Sequence, residues 1–182
     1  MVPLGLAQAA TVRVAYQLGQ EKPDGAGRAG FVALVLGGLF MLGSAVVLWT
    51  VLRLLIGFYV ELADPGNQAL IAIALQLFVI AALFQLFDGV QVIASGALRG
   101  YRDTMIPMVI AAIGYWAIGF AGGWLLAFPV GLGATGLWAG LAVGLAIVAV
   151  ALTARLYSQA RRHLRDVFRT TLAPSESAAI SG

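Results

Sequence analysis

Asp88 is the only charged residue in the apolar stretch between Pro65 and Leu98. A carboxylate at the depth of a lipid bilayer is costly in free energy, so such side chains face polar cavities or other protein groups rather than lipid. They also mark the paths that ions and protons follow through membrane proteins. Asp88 is therefore the first candidate for ion or proton chemistry in this chain.

Three further polar residues lie on the predicted helix that carries Asp88. Gln85 and Gln91 lie three positions to either side of it, and Ser95 follows two turns later. Because an α-helix advances about 100° per residue, the four side chains form one polar stripe. Lipid would leave their hydrogen-bonding groups without partners, so we expect the stripe to line a cavity. The alternative is a structural network in which a protonated Asp88 bonds to a neighbouring helix.

The composition of the whole chain places this stripe in a membrane. Of the 182 residues, 61% are hydrophobic and 10% are charged, whereas soluble domains carry about 25% charged residues. The charge-free segments run from Ala29 to Leu52, from Pro65 to Phe87 and from Thr104 to Ala154. A spanning helix needs roughly 20 apolar residues, so the last segment is long enough for two helices, with a turn predicted near Gly131. The pattern lacks the regular alternation of a β-barrel and predicts an all-α polytopic membrane protein.

The element boundaries predicted from these segments begin with a partial helix at residues 1–17. Four full spans follow, at about 30–57, 66–97, 105–128 and 134–156. Residues 158–173 carry an apolar stripe opposite several arginines, which is typical of an amphipathic helix on an anionic cytoplasmic leaflet. Residues 174–182 are predicted to be disordered. The first apolar run is too short to cross a bilayer and lacks the basic start of a signal peptide, which favours the end of a longer helix.

The basic residues indicate the orientation of the spans. Lysine and arginine in short loops are retained on the cytoplasmic side. Ten of the eleven fall in segments that this rule places on one side: Arg13, Lys22, Arg28, Arg99, Arg102, Arg155, Arg161, Arg162, Arg165 and Arg169. We therefore expect a multi-pass protein of the inner (plasma) membrane, with a cytoplasmic C-terminus and with the loops near Asp64 and Gly131 outside. The charges are spread over three segments and form no single face for nucleic acid.

Other residue types argue against several kinds of chemistry. The chain has no cysteine, and its single histidine, His163, lies among arginines near the C-terminus. It also lacks a phosphate-binding glycine-rich loop before a helix, which argues against ATP-driven pumping. We therefore expect no enzyme activity, no cofactor and no cysteine-based or histidine-based metal site.

Glycines indicate where helices pack closely. Gly136, Gly140 and Gly144 recur every four residues in the last span, and Gly119 and Gly123 do so in the span before it. Such small residues let two helix backbones approach each other. The pattern does not identify the partner helix, which lies either in this chain or in another.

Tyr115 and Trp116 are aromatic residues too deep in the third span for an interfacial belt. Their rings could contact an organic cation, and filling gaps between helices is the alternative. The turn before that span is polar. Arg99 and Arg102 are placed to bind lipid phosphates there, and Asp103 is placed to cap the helix that follows.

Four blocks of sequence resemble the multidrug and toxic compound extrusion (MATE) family. The longest block runs from Leu83 to Gln91 and continues through the cytoplasmic motif of Leu98, Arg99, Gly100, Asp103 and Thr104 to Pro107. The other three blocks are Pro3–Val14, Tyr115–Gly119 and Gly136–Gly140. Together they cover most of residues 1–157 in the order in which the family has them.

The resemblance implies a cation-coupled multidrug efflux antiporter, which exchanges organic, often cationic, drug-like substrates for H+ or Na+ across the bilayer. Residues 1–157 then correspond to part of a C-terminal lobe, from the end of helix 8 to helix 12 of a twelve-helix transporter. Asp88 matches the acidic residue of the tenth helix that the family uses for coupling, and it would contact the metal ion if that ion is Na+. The expected cavity-lining or substrate-lining residues are Gln85, Gln91, Ser95, Tyr115 and Trp116.

The 182 residues contain no counterpart of the family's first lobe or of its seventh helix with a further acidic coupling residue. Alternating access needs two bodies that move against each other around a site. We therefore expect that the chain does not transport alone and that it needs a complementary N-terminal lobe or self-association. Two alternatives are a non-transporting remnant or interaction subunit, and a lipid-linked oligosaccharide flippase of the same superfamily.

Overall fold

A computed structural model describes residues 1–57 and 65–172, and this part of the chain is helical apart from short turns. In chain order its helices are α1 (Val2–Gly19), α2 (Pro23–Gly57), α3 (Gln68–Gly100), α4 (Met105–Ala112), α5 (Ala121–Ala127) and α6 (Gly133–Leu172). A π-helical segment, Ile113–Phe120, joins α4 to α5, and a short 3₁₀ turn, Pro65–Asn67, precedes α3. The all-α prediction is confirmed.

Within the described part of the chain, four helical segments are long and apolar enough to cross a membrane: Pro23–Val51, Gln68–Gly100, Met105–Ala127 and Gly133–Val167. The chain is a multi-pass membrane protein. One predicted boundary is absent from the structure, because the last span and the amphipathic segment at 158–173 form a single helix that continues to Leu172. No glycine or proline follows Gly144 in α6, so nothing in the sequence interrupts it. The tail predicted at 174–182 lies outside the described residues.

The helix ends carry the residues that such positions favour. Pro23 begins α2, where the first turn does not need the N–H that proline lacks. Between α5 and α6, Gly131 and Gly133 adopt φ angles of 81° and 55°. Glycine reaches these angles without steric cost, and the turn predicted near Gly131 is confirmed.

α3 lies at the centre of the helix bundle. It packs against α1, α2 and α6, while α6 also packs against the π-helical segment and α5. The largest fully buried side chains at these contacts include Val14, Ile93, Leu98, Val148 and Leu152. The helix that carries Asp88 is therefore held by neighbours on several sides.

The glycines of α6 contact the α4–α5 helix of the same chain, which is the continuous helix formed by α4, the π-helical segment and α5. A Cβ atom on Gly144 would lie 2.6 Å from Gly119 Cα, and one on Gly136 would lie 2.7 Å from the carbonyl carbon of Leu126. Gly140 likewise meets the backbone of Gly123. Close packing at these glycines is confirmed, and their partner is now identified. Because this face is occupied within the chain, it is not free for the self-association considered above.

A second close contact joins α1 to α3. A Cβ on Gly96 would lie 2.5 Å from the Ala7 carbonyl oxygen, and one on Gly100 would lie 2.7 Å from Val14 Cβ. At the same crossing the Thr11 hydroxyl donates to the Gly96 carbonyl oxygen at 2.7 Å. These contacts fix the position of α3 along its axis relative to α1.

Candidate functional site

The polar stripe of α3 is present in the register that its spacing predicts. The helix runs without a break from Gln68 to Gly100, so residues three, four and seven positions apart share a face. Gln85, Asp88, Gln91 and Ser95 are all partly buried. The face is therefore not closed off by the other helices of the described bundle.

Asp88 makes no hydrogen bond and no ion pair with residues 1–57 or 65–172. The structural network considered above as an alternative is therefore not found in that part of the chain. Its neighbour Gly89 is buried against α2, where a Cβ would lie 3.0 Å from Met41 Cε. Consecutive helical residues point about 100° apart, so the contact that holds Gly89 to α2 turns Asp88 away from that helix.

Gln85 connects the stripe to α2. Its Nε2 donates a hydrogen bond to Ser44 Oγ at 2.6 Å, and the two residues are 41 positions apart in sequence. Ser44 adds a hydroxyl to the site that the sequence analysis did not single out. The only signal for it was a lone serine within a predicted span, which is weak evidence because a helical serine often bonds to its own backbone.

Tyr115 is the aromatic residue that the structure relates to Asp88. The two side chains lie close enough for the carboxylate charge to act on the phenol. Tyr115 is 37% exposed, and it is carried by the segment between α4 and α5 rather than by α3. That Asp88 and Tyr115 belong to one site, and what each does there, stay predictions.

Trp116 lies beside Tyr115 in sequence but has different neighbours. It is 72% exposed, and its ring centroid lies 6.1 Å from that of Phe120. Adjacent residues of a helix do not face the same way, so Tyr115 and Trp116 do not present a common aromatic surface. A cavity role for Trp116 stays a prediction.

The segment that carries Tyr115 is a π-helix of eight residues, Ile113–Phe120. Such segments are rare and occur frequently at functional sites, where the wider turn changes the direction of side chains. Gly114 and Gly119 are its two buried residues and face α6. The sequence does not predict this π-helix, since glycines at helical spacing fit an α-helix equally well.

The motif of Leu98, Arg99, Gly100, Asp103 and Thr104 has both buried and exposed members. Leu98 is fully buried in the core and Gly100 packs against α1. Arg99 and Thr104 are exposed, and Thr104 precedes α4 without a side-chain capping bond. Leu98 and Gly100 therefore hold helices together, while Arg99 is free to meet the surroundings.

Asp103 does not cap α4, contrary to the prediction. Its Oδ2 accepts hydrogen bonds from Arg155 Nε at 2.6 Å and from Gln159 Nε2 at 2.8 Å, both on α6. Burial alone would raise the pKa of Asp103, but the bonds from Arg155 and Gln159 and the charges of Arg155 and Arg162 outweigh it and lower the pKa below its usual value. The carboxylate is thus paired with a guanidinium of opposite charge, in a charge-assisted hydrogen bond of the strong class.

Comparison with known proteins shows the family to which this sequence belongs. The model of the MatE family matches residues 1–125. The chain belongs to the MatE family. The described residues of this family member contain no group of three or more histidine, cysteine, aspartate or glutamate side chains placed to hold a metal ion.

Two similar relatives are bacterial. "Multidrug resistance protein NorM" of Burkholderia vietnamiensis is 54% identical over 157 residues, which cover 86% of this chain and 34% of the relative. "Probable multidrug resistance protein NorM" of Mesorhizobium japonicum is 51% identical over 157 residues, covering 85% of this chain and 33% of the relative. The chain thus spans about a third of the length of these relatives.

A solved structure shows the same fold. The crystal structure of the eukaryotic MATE transporter AtDTX14 superposes with a TM-score of 0.73 and 25% sequence identity. The match covers 91% of this MatE chain and 37% of that transporter. The arrangement of helices around α3 is therefore a MATE arrangement.

Proposed function

We propose that this MatE chain is the cation-coupling part of a multidrug efflux antiporter, with Asp88 as the carboxylate that binds H+ or Na+. The observation that supports this most is the position of Asp88. Its carboxylate is partly buried on the central helix, lies near Tyr115 and has no partner in the described part of the chain. A carboxylate in that setting is stabilised by a cation or by protonation.

In this proposal, drug is exchanged for H+ or Na+ because the drug and the ion compete for the single charge of Asp88. An ionised Asp88 attracts either the coupling ion or an organic cation, and binding of one neutralises the site for the other. The hydrogen bond from Gln85 to Ser44 holds the Gln85 amide in place, three positions before Asp88. The Tyr115 ring adds an aromatic face for a cationic drug. The relatives are named for multidrug resistance, which favours this function over a lipid-linked oligosaccharide flippase.

Transport also needs a second body. A ligand site opens to each side in turn only when one lobe moves against another, and this chain covers 34% of its Burkholderia relative. We therefore propose that a complementary N-terminal lobe completes the transporter, at the inner membrane and with the C-terminus in the cytoplasm. Expression of the 182 residues alone is expected to give insertion without drug resistance.

The test uses a chimera in which this chain replaces the matching 157 residues of the Burkholderia relative. Efflux of a fluorescent organic cation is measured in proteoliposomes under an imposed proton gradient and, separately, an imposed Na+ gradient. Asp88→Asn should abolish ion-driven efflux, because the amide keeps the shape of the side chain but neither exchanges a proton nor balances a cation. Asp24→Asn, the same change at an exposed position, is the control and should transport normally.

Gln85→Ala and Gln91→Ala should slow efflux less than Asp88→Asn, since each removes only neutral hydrogen bonds. Insertion of every variant is checked by its yield in membranes. Wild-type efflux by the Asp88→Asn chimera would refute the proposed role of Asp88.

A further inference from the structure

A cavity lined by both polar and apolar residues lies at the end of the bundle where α1, α3 and α6 meet the start of α2. Its volume is about 730 Å³, and its lining includes Gly19, Glu21, Pro23, Tyr101, Arg102 and His163. None of the stripe residues around Asp88 belongs to that lining. The cavity is therefore separate from the proposed transport site.

The cavity lies at the ends of two candidate membrane spans. Among its lining residues, Gly100 is the last residue of the span Gln68–Gly100, and Pro23 is the first residue of the span Pro23–Val51. The ends of membrane-spanning helices lie at the boundary between the hydrocarbon core and the polar headgroup layer. A ligand here would be polar on the side that enters the cavity.

Two opposite charges lie on the cavity lining. Glu21 and Arg102 are both exposed, and the side chain of neither forms an ion pair or a hydrogen bond within residues 1–57 and 65–172. Both sit in tight turns after helices: the Glu21 N–H donates to Leu18 at 3.0 Å, and the Arg102 N–H donates to Arg99 at 2.9 Å. The backbone thus holds an acidic and a basic group at one cavity without pairing them.

An aromatic wall adds hydrogen-bonding groups to the same cavity. The ring centroids of Tyr101 and His163 are 5.1 Å apart, and His163 Nδ1 lies 3.1 Å from the Gln159 carbonyl oxygen. Nδ1 therefore donates its hydrogen to that carbonyl, which leaves Nε2 for another partner. Tyr101 is 6% exposed, and its buried hydroxyl has no hydrogen-bond partner in the described part of the chain. A buried donor left unpaired costs free energy.

We propose that this cavity binds a zwitterionic phosphate–ammonium group, namely phosphoethanolamine, with the phosphate toward Arg102 and the ammonium toward Glu21. An anionic headgroup such as phosphoglycerol would satisfy Arg102 but would be repelled by Glu21. Phosphocholine carries both charges, but its quaternary ammonium has no N–H to donate to a carboxylate, whereas a primary ammonium has three. The lining therefore selects ethanolamine over choline and over glycerol.

The experiment measures lipid retention by the full 182-residue chain. The chain is placed in nanodiscs that contain equal amounts of phosphatidylethanolamine, phosphatidylcholine and phosphatidylglycerol. The protein is then released from the nanodiscs in the mass spectrometer, and the lipids that stay bound to it are counted by native mass spectrometry. We expect phosphatidylethanolamine to bind about tenfold more tightly than either competitor, as one charge-assisted contact would provide. Equal retention of all three lipids, or a preference for phosphatidylglycerol, would overturn the proposal.

Matched variants locate the site. Arg102→Gln and Glu21→Gln should each remove the preference for phosphatidylethanolamine. Arg13→Gln and Asp24→Asn remove the same charges at exposed positions outside the cavity lining and should keep the preference. Arg102→Lys and Glu21→Asp preserve the charge and should retain most of the preference, which separates loss of charge from loss of folding. Loss of the preference in the Arg13→Gln and Asp24→Asn controls would refute the assignment to this cavity.

A further measurement distinguishes a membrane lipid from a soluble metabolite as the ligand that carries this group. Soluble phosphoethanolamine is added to the wild-type nanodiscs as a competitor. Release of phosphatidylethanolamine by the soluble compound supports a site that a free metabolite can also occupy. Retention of the lipid against a large excess of the compound supports the membrane lipid as the ligand, anchored by its acyl chains.

Discussion

Arg155 Nε lies 2.6 Å from Asp103 Oδ2, although the two residues are 52 positions apart in the chain. Asp103 lies in the turn between α3 and α4, and Arg155 lies within α6. The side chains are 20% exposed for Arg155 and 9% exposed for Asp103, so the pair is largely shielded from water. The contact ties the end of the helix that carries Asp88 to the longest helix of the bundle.

The first prediction concerns the stability that this pair provides. Arg155→Gln should lower the free energy of unfolding by about 2 kcal/mol, because it leaves a mostly buried carboxylate without its charged partner. The measurement is thermal unfolding of the purified chain in detergent. Arg165→Gln, at an exposed position of the same helix, should change stability by about 0.5 kcal/mol or less.

A double variant checks that the two residues act together. Asp103→Asn combined with Arg155→Gln should lose less stability than the sum of the single losses, since the second change removes a partner that is already unpaired. Additive losses would mean that Arg155 stabilises the fold through other contacts.

The second prediction concerns acid sensitivity. The pKa of Asp103 is lower in the folded chain than its ordinary value of 3.8, so the unfolded chain takes up its proton first as the pH falls. The stability from this carboxylate is fully present above that ordinary value and is lost as the pH falls through the folded pKa. Thermal unfolding measured from neutral to acidic pH should show this loss in the wild type and a weaker one in Asp103→Asn. Identical pH profiles would exclude Asp103 as the source.

Local spacing and charge were sufficient to predict much of the fold. Charge-free segments of spanning length gave the four long helices, and the Gly131 turn separated the last two. The face of Gln85, Asp88, Gln91 and Ser95 followed from helical periodicity alone. These features depend on residues near one another in sequence, which is where pattern reasoning is reliable.

Contacts between distant residues could not be predicted in the same way. Asp103 is followed by a helix, so capping was the local expectation, but its actual partners Arg155 and Gln159 lie on α6. The bond between Gln85 and Ser44 likewise joins two helices. The change from an apolar to a basic face predicts a boundary near residue 158, but α6 continues through it because no helix breaker occurs there. Tertiary packing decided each of these points.

The third prediction tests the contact between α6 and the α4–α5 helix. Gly144→Ala should destabilise the chain by about 1–3 kcal/mol, because the added methyl would lie 2.6 Å from Gly119 Cα and the two backbones must separate. Gly38→Ala is the matched control, since a Cβ there meets nothing within 4 Å. That control should be neutral or slightly stabilising, as alanine favours a helix more than glycine does. Equal effects of the two substitutions would show that Gly144 is not a tight contact.

The last prediction concerns the orientation of the spans in the membrane. Ten of the eleven basic residues fall on one side of the predicted topology, which places the turn containing Arg102 and the α6 residue Ser158 in the cytoplasm. Since the chain has no cysteine, single cysteines can be introduced at Asp64, Arg102 and Ser158 without background reaction. A membrane-impermeant thiol reagent added to intact cells should label the cysteine at position 64 and leave those at 102 and 158 unlabelled until the membrane is permeabilised. The reverse pattern would invert the topology and would also place the proposed headgroup cavity in the outer leaflet, because its lining residue Arg102 would then face outward.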